Sequence, residues 1–145
     1  MNLEELYRET ILDHNQSPRN RRALAHPTQA AGLLNPTCGD QIHLELEVKD
    51  GIVQDVGFDG HGCSISMASA SMLTEAIKGK PVEDALALAR HFKAFLTGTP
   101  SPVPLGDLEA LRGVSQFPSR VKCATLAHNA LEKALSGSEE GDRLR

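Results

Sequence analysis

Three cysteines and one aspartate carry most of the chemistry that this sequence offers. Cys38 and Asp40 flank a glycine, Cys63 ends a glycine–histidine–glycine run, and Cys123 follows an arginine, a valine and a lysine. Three thiols and one carboxylate form a donor set that suits a tetrahedral zinc ion. The same thiols could hold an iron–sulfur cluster or accept a sulfur atom. Spacing alone leaves these alternatives open.

Each of these residues lies beside a glycine or at a predicted element end. An asparagine–proline pair favours a turn just before Cys38. Cys63 and Cys123 are both predicted at helix N-termini, where the helix dipole and free N–H groups stabilise a thiolate. His61 is an alternative to Asp40 as the fourth ligand. A lone cysteine is often only a small buried hydrophobe, so a shared site needs further support.

Composition narrows the class of protein. The chain has 145 residues and a formal charge of −4, and 40% of its residues are hydrophobic but only 3% are aromatic. The acidic balance and the few aromatics argue against a nucleic-acid surface. No apolar run approaches the length of a membrane helix. An odd number of cysteines and an acidic N-terminus predict a cytoplasmic protein with reduced thiols, not a secreted disulfide framework.

The clearest predicted element is a β-hairpin. Residues 42–48 alternate between apolar and polar side chains, as a half-buried strand does. Asp50-Gly51 is a favoured two-residue hairpin turn, after which the chain returns through residues 52–58. Residues 28–34 are predicted to form a further short strand.

Helical patterns surround this hairpin. Apolar spacing predicts helices over residues 3–13, from Cys63 to Gly79, from Pro81 to Gly98, and over 121–135, with a short helical turn at 107–111. Residues 19–22 are predicted to be a solvated basic loop. The order of elements predicts an α+β fold in which a small antiparallel sheet of about three strands packs against several helices. Residues 1–136 are expected to form one domain, followed by a polar, flexible tail at 137–145.

Several motifs, in this order, resemble the U-type proteins of iron–sulfur cluster biogenesis, the IscU/NifU-like family. The resemblance covers nearly the whole chain and is greatest for its SufU branch. Its motifs are LYRETILDH (6–14), SPRN (17–20), NPTCGD (35–40), FDGHGCSIS (58–66) and RVKCATL (120–126).

The resemblance implies a ligand set and a branch of the family. It implies that Zn²⁺ is bound by Cys38, Asp40, Cys63 and Cys123. Scaffold members carry a histidine immediately before the third cysteine, where this chain has Lys122. Residues 100–116 lengthen the gap between the last two cysteines, and residues 117–122 keep only part of the scaffold members' chaperone-recognition motif. All three departures favour the SufU branch.

The activity implied by the resemblance is sulfur transfer. A SufS-type cysteine desulfurase would form a persulfide, and Cys38 would accept its terminal sulfur, with Cys123 as the alternative acceptor. Arg120 would steer or stabilise the attacking thiolate. Downstream cluster-assembly proteins are further expected partners, whereas nucleic acid and membranes are not. The alternative function is a scaffold on which an iron–sulfur cluster is assembled and passed on. As an enzyme, the chain would be a sulfurtransferase that accepts sulfur from the desulfurase and activates it.

Overall fold

Four α-helices, one 3₁₀ helix and a three-stranded sheet make up the part of the chain that the structure, a computed structural model, describes: residues 2–36 and 39–136. The predicted α+β class and three-stranded antiparallel sheet are confirmed. The elements in chain order are α1 (Leu3–Gln16), β1 (Gln29–Asn35), β2 (Asp40–Lys49), β3 (Ile52–His61), α2 (Ser64–Ile77), α3 (Val82–Leu96), the 3₁₀ helix (Gly106–Gln116) and α4 (Pro118–Ser136).

The sheet is a meander in the order β1-β2-β3 with antiparallel pairing throughout. The predicted turn at Asp50-Gly51 is present, and both residues have positive φ (55° and 77°), as a type I′ hairpin turn requires. Ile42, Leu44 and Leu46 of β2 are fully buried against the helices. The alternation in the sequence therefore predicted the inner face of this strand.

A β-bulge changes which residues of β3 enter the core. The pairing register shifts between Glu47 and Val48, so Val53 faces the core while Gln54 is exposed. Such a bulge adds one residue to one strand and reverses the direction of the side chains beyond it. The alternation in the sequence gave no sign of this shift.

Helix α2 is buried on nearly all sides, whereas the apolar spacing that predicted it indicates burial of one face only. Its small residues permit close packing against α4. The hydroxyl of Ser69 donates a hydrogen bond to the carbonyl of Ala124 in α4, with an O···O distance of 2.6 Å. The site described below depends on this close approach.

Helix α4 begins earlier than the sequence pattern indicated. Its first residue is Pro118, and the prediction of a start at residue 121 was wrong. Proline is well suited to the first position of a helix because its missing N–H would have no partner there. Cys123 consequently lies in the second turn of α4 rather than at its N-terminus. The preceding 3₁₀ helix is also longer than the predicted turn at 107–111.

His14 ties α1 to two other elements. Its ring is completely buried, with Nδ1 2.7 Å from the hydroxyl of Ser71 in α2 and Nε2 2.9 Å from the carboxylate of Asp107 in the 3₁₀ helix. α1 extends three residues beyond its predicted end at 13, so His14 lies within the helix. These contacts fix the 3₁₀ helix beside α1 and α2.

The basic connector at residues 19–22 is not simply a solvated loop. Arg19 pairs with Asp13 at 2.6 Å, and Arg22 pairs with Asp55 of β3 at 2.7 Å. The hydrogen bond from the Arg22 guanidinium lowers the pKa of the Asp55 carboxyl to about 2. The connector thus joins α1 to the sheet through ion pairs. Among the described residues, no helix is both long and apolar enough to cross a membrane.

Candidate metal centre

Three of the four predicted ligand residues meet at one end of the sheet. Asp40 is the first residue of β2, Cys63 is the N-cap of α2, and Cys123 lies in α4. One carboxylate oxygen and the two sulfur atoms all lie within 4.8 Å of one another. Asp40 is only 3% exposed and Cys123 only 5%. Residues far apart in sequence are therefore gathered into one partly buried cluster, which we call the Asp–Cys–Cys cluster.

The carboxylate of Asp40 is held against the N-terminus of α2. The backbone N–H of Cys63 donates to Oδ1 at 3.0 Å, and the thiol of Cys63 donates to Oδ2 at 3.4 Å. The Ser66 hydroxyl also donates a hydrogen bond to Oδ2. The free N–H groups and the dipole of a helix N-terminus stabilise negative charge, whether on this carboxylate or on a Cys63 thiolate. The prediction that Cys63 opens a helix is confirmed.

Gly62 is required by the position of Asp40. A Cβ atom at residue 62 would lie 2.6 Å from Oδ1 of Asp40, which is closer than nonbonded atoms approach. The preceding His61 is exposed at the end of β3. His61, the alternative fourth ligand, does not belong to the Asp–Cys–Cys cluster.

Cys123 reaches the cluster from inside α4. Its thiol lies 3.6 Å from the carbonyl oxygen of Ser119, one turn earlier, to which it donates. The proposed stabilisation of Cys123 by the N-terminal N–H groups of α4 is wrong, because α4 starts five residues before it. Lys122 and Arg120 are both exposed on the surface beside Cys123. These two side chains place positive charge in the first two turns of α4, the helix that carries Cys123.

Cys38, the fourth predicted ligand and the predicted sulfur acceptor, lies outside the described residues. Its neighbours are described: Asn35 and Asp40 are cross-strand partners, and the N–H of Gly39 donates to the Asn35 carbonyl at 2.7 Å. Gly39 has a φ of +78°, a value that glycine adopts without steric cost. The connection that contains Cys38 therefore starts and ends beside Asp40.

An apolar groove adjoins the first turn of α2, the helix that has Cys63 as its N-cap. It has a volume of about 360 Å³, and its lining includes Ile11, Ile65, Val114, Phe117 and Arg120. Phe117 is a large hydrophobic residue that is more than half exposed. The predicted functional residue Arg120 thus lines this groove, three residues before Cys123 in α4.

Sequence reasoning missed two residues of the site, Ser66 and Gly62. Both lie within the motif that contains Cys63. Ser66 is the third residue of α2, a position whose N–H is commonly satisfied by the N-cap side chain. That spacing from Cys63 was a usable signal, because it places the serine beside the thiol.

Comparison with known proteins assigns the family. Residues 6–140 match the NifU-like N-terminal domain family. The chain belongs to this family. The resemblance inferred from the five sequence motifs is therefore confirmed.

Relatives that this chain matches over most of their length are named in both branches of the family. The chain is 49% identical over 143 residues to the zinc-dependent sulfurtransferase SufU of Bacillus subtilis, covering 97% of each chain. It is 42% identical over 144 residues to the iron–sulfur cluster assembly scaffold protein IscU of Streptococcus pyogenes, covering 98% of this chain and 90% of that one. A crystal structure of a hypothetical protein, 43% identical, superposes with a TM-score of 0.86 and covers 92% of this chain and 99% of that one.

Proposed function

We propose that this protein is a zinc-dependent sulfurtransferase that accepts persulfide sulfur from a cysteine desulfurase for iron–sulfur cluster biogenesis. The observation that carries the proposal is the convergence of one carboxylate and two thiols within 4.8 Å. Its similarity to the relative named a zinc-dependent sulfurtransferase supports the same function. The need for reduced thiols supports a cytoplasmic location.

The donor set fits zinc. Sulfur and carboxylate donors in a compact group are the ligands that zinc takes in tetrahedral sites. Asp40, Cys63 and Cys123 would hold the ion, and Cys38 would complete the set. When bound, zinc keeps thiols deprotonated at neutral pH without redox chemistry of its own.

Cys38 is the proposed acceptor. Its thiolate would attack the outer sulfur of a persulfide on the desulfurase, so that a new S–S bond forms at Cys38. The S–S bond of the donor breaks, and the donor cysteine leaves as a thiolate, so no external oxidant or reductant is needed. Cys63 and Cys123 are fixed at a helix N-terminus and inside a helix, whereas Cys38 belongs to the β1–β2 connection. We therefore propose Cys38, rather than Cys123, as the acceptor.

Arg120 and the apolar groove are the proposed contact surface for a SufS-type desulfurase. Arg120 is exposed, lines the groove and precedes Cys123 by three residues in α4, and its guanidinium would attract the negative charge of a persulfide. Phe117 offers an exposed apolar contact of the kind found at the centre of protein interfaces.

The second candidate function is a scaffold that assembles an iron–sulfur cluster on the same thiols. The observation in its favour is the similarity to the scaffold protein IscU of Streptococcus pyogenes. Lys122, in place of the histidine of scaffold members, counts against it. Downstream cluster-assembly proteins are proposed partners under either function.

Sulfur transfer is tested by mixing the purified protein with a SufS-type desulfurase and cysteine. We expect intact-mass analysis to show added sulfur atoms and peptide mapping to place them on the fragment that contains Cys38. Wild-type protein should increase the rate at which the desulfurase turns over cysteine, and Cys38→Ala should abolish this increase. Added sulfur on Cys123 instead would reject Cys38 as the acceptor but would leave the transfer function standing. A brown protein with iron and sulfide, and no labelled cysteine, would support the scaffold function.

The ligand set is tested by Cys63→Ser and Cys123→Ser. Each variant should lose zinc after purification and melt at a lower temperature, because an ion that binds only the folded chain stabilises it. Ser64→Ala, at an exposed position beside Cys63, is the control and should keep one zinc per chain. Full zinc content in both cysteine variants would rule out this ligand set.

The role of Arg120 is tested by Arg120→Ala, with the exposed Arg112→Ala as the matched control. Both variants should keep zinc and fold, but only Arg120→Ala should stimulate the desulfurase poorly. Equal turnover in the two variants would leave Arg120 without a role in transfer.

A further inference from the structure

The hydroxyl of Ser66 contacts every described member of the Asp–Cys–Cys cluster. Ser66 is 1% exposed and lies in the first turn of α2. Its Oγ donates to Oδ2 of Asp40, lies 3.6 Å from the Cys63 sulfur, and lies 3.3 Å from the backbone carbonyl of Cys123. Its backbone N–H also points at the Cys63 sulfur, at 3.5 Å.

A hydroxyl has a single proton to donate, so these contacts compete. The Asp40 carboxylate is the strongest acceptor among them, because hydrogen bonds to charged oxygen are stronger than those to a neutral carbonyl. Oδ1 of Asp40 is already bound by the Cys63 N–H, and the Ser66 hydroxyl binds Oδ2. The two hydrogen bonds together fix the plane of the carboxylate.

We propose that Ser66 is a positioning residue that orients Asp40 toward a bound zinc ion and sets how tightly the ion is held. This inference rests on the proposed function only in assuming a zinc ion at the Asp–Cys–Cys cluster. Residues that hydrogen-bond to a metal ligand orient it, and their loss typically weakens metal binding by about 10–100-fold. Ser66 would act through Asp40, without touching the sulfur that is transferred.

Ser69 provides a matched control. It lies on the same helix three residues later and is completely buried. Its hydroxyl donates a hydrogen bond to the Ala124 carbonyl of α4, the helix that also carries the Cys123 carbonyl near Ser66. Replacing either serine by alanine removes a buried hydroxyl at the interface between α2 and α4. Only Ser66 has a hydrogen bond to Asp40 among those described for the two hydroxyls.

The test measures zinc affinity by competition with a chromophoric chelator, on metal-free protein reloaded with zinc. We expect Ser66→Ala to weaken zinc binding by about 10-fold or more, and Ser69→Ala to change it by less than about 3-fold. Thermal melting of the metal-free variants reports any loss of fold separately. Equal weakening in both variants, or none in Ser66→Ala, would overturn the proposal.

A double-mutant cycle shows whether Ser66 acts through Asp40. On an Asp40→Ala background, Ser66→Ala should have little further effect on zinc affinity, because the group it positions is gone. Additive losses would refute a role through Asp40. If wild-type protein binds zinc but accepts no sulfur, the transfer function fails while this affinity comparison still decides the role of Ser66. If wild-type protein binds no zinc, both proposals are rejected.

Discussion

His128 should make the stability of this protein fall steeply in mild acid. Its ring is completely buried on α4, stacked on Phe92 with centroids 4.3 Å apart. The Ser69 hydroxyl donates to the Ala124 carbonyl, so it must accept from Nε2 of His128, 3.1 Å away. Nδ1 is then unprotonated, and it has no hydrogen-bond partner within the described residues. A proton added at Nδ1 would create a buried, unpaired charge.

The size of the effect follows from the pKa. Burial lowers the pKa of His128 from 6.5 to about 3, and the charge of Lys93 acts in the same direction. Between these values the unfolded chain binds a proton that the folded protein does not, so stability is lost as pH falls below about 6.5. At pH 5 the free energy of unfolding should be lower by about 2 kcal/mol on this account, at about 1.4 kcal/mol per unit.

The measurement compares urea unfolding of wild type and His128→Leu at pH 7.5 and pH 5, on metal-free protein under reducing conditions. Leucine keeps an apolar side chain of similar size, and Ser69 keeps its bond to Ala124. At pH 7.5 the two proteins should differ by less than about 1.5 kcal/mol. The difference should then shift by about 2 kcal/mol in favour of leucine at pH 5.

Taking the difference between variants cancels every other titrating group that the two proteins share. His26→Leu, at an exposed position, controls for the loss of an imidazole as such. The reasoning would be refuted if the free energies of unfolding of wild type and His128→Leu differed by the same amount at pH 7.5 and at pH 5. That result would mean that the folded protein accommodates the proton on His128.

Three further substitutions test the geometry of the fold and site. Gly62→Ala places a methyl group 2.6 Å from the Asp40 carboxylate, so zinc binding should weaken about 10-fold or more in a chelator competition. Asp107→Ala removes a partner of buried His14 and should lower the free energy of unfolding by about 1 kcal/mol in urea. Gly51→Ala introduces a side chain at a φ of 77° in the hairpin turn and should cost about 1 kcal/mol in the same assay. Unchanged values would contradict the respective contact or turn geometry.

Local signals in the sequence predicted the parts of the fold that local rules govern. The hairpin at Asp50-Gly51 and the start of α2 at Cys63 were predictable because turn residues and N-caps act over a few neighbours. The early start of α4 also had a local signal, since Pro118 suits a first helical position, although the apolar spacing indicated a later start.

Long-range contacts were not predictable in the same way. Ser71 lies 57 residues from His14, and Ser66 lies 26 residues from Asp40, yet both pairs are hydrogen-bonded. Such pairs depend on how the elements pack in three dimensions, which no spacing along the chain specifies. The same limit explains why the meeting of Asp40, Cys63 and Cys123 could be expected only from a family resemblance.

The hydrogen bonds that hold Asp40 in place bear on whether this chain folds before or after it binds zinc. The Cys63 N–H and the Ser66 hydroxyl both donate to the Asp40 carboxylate, so the packing that forms these hydrogen bonds also brings the donors together. In small zinc fingers the ion must drive folding, and chelators unfold the chain. A domain of this length with a buried aliphatic core does not need an ion to fold, so we expect this chain to fold first, bind zinc later and keep its core when the zinc is removed.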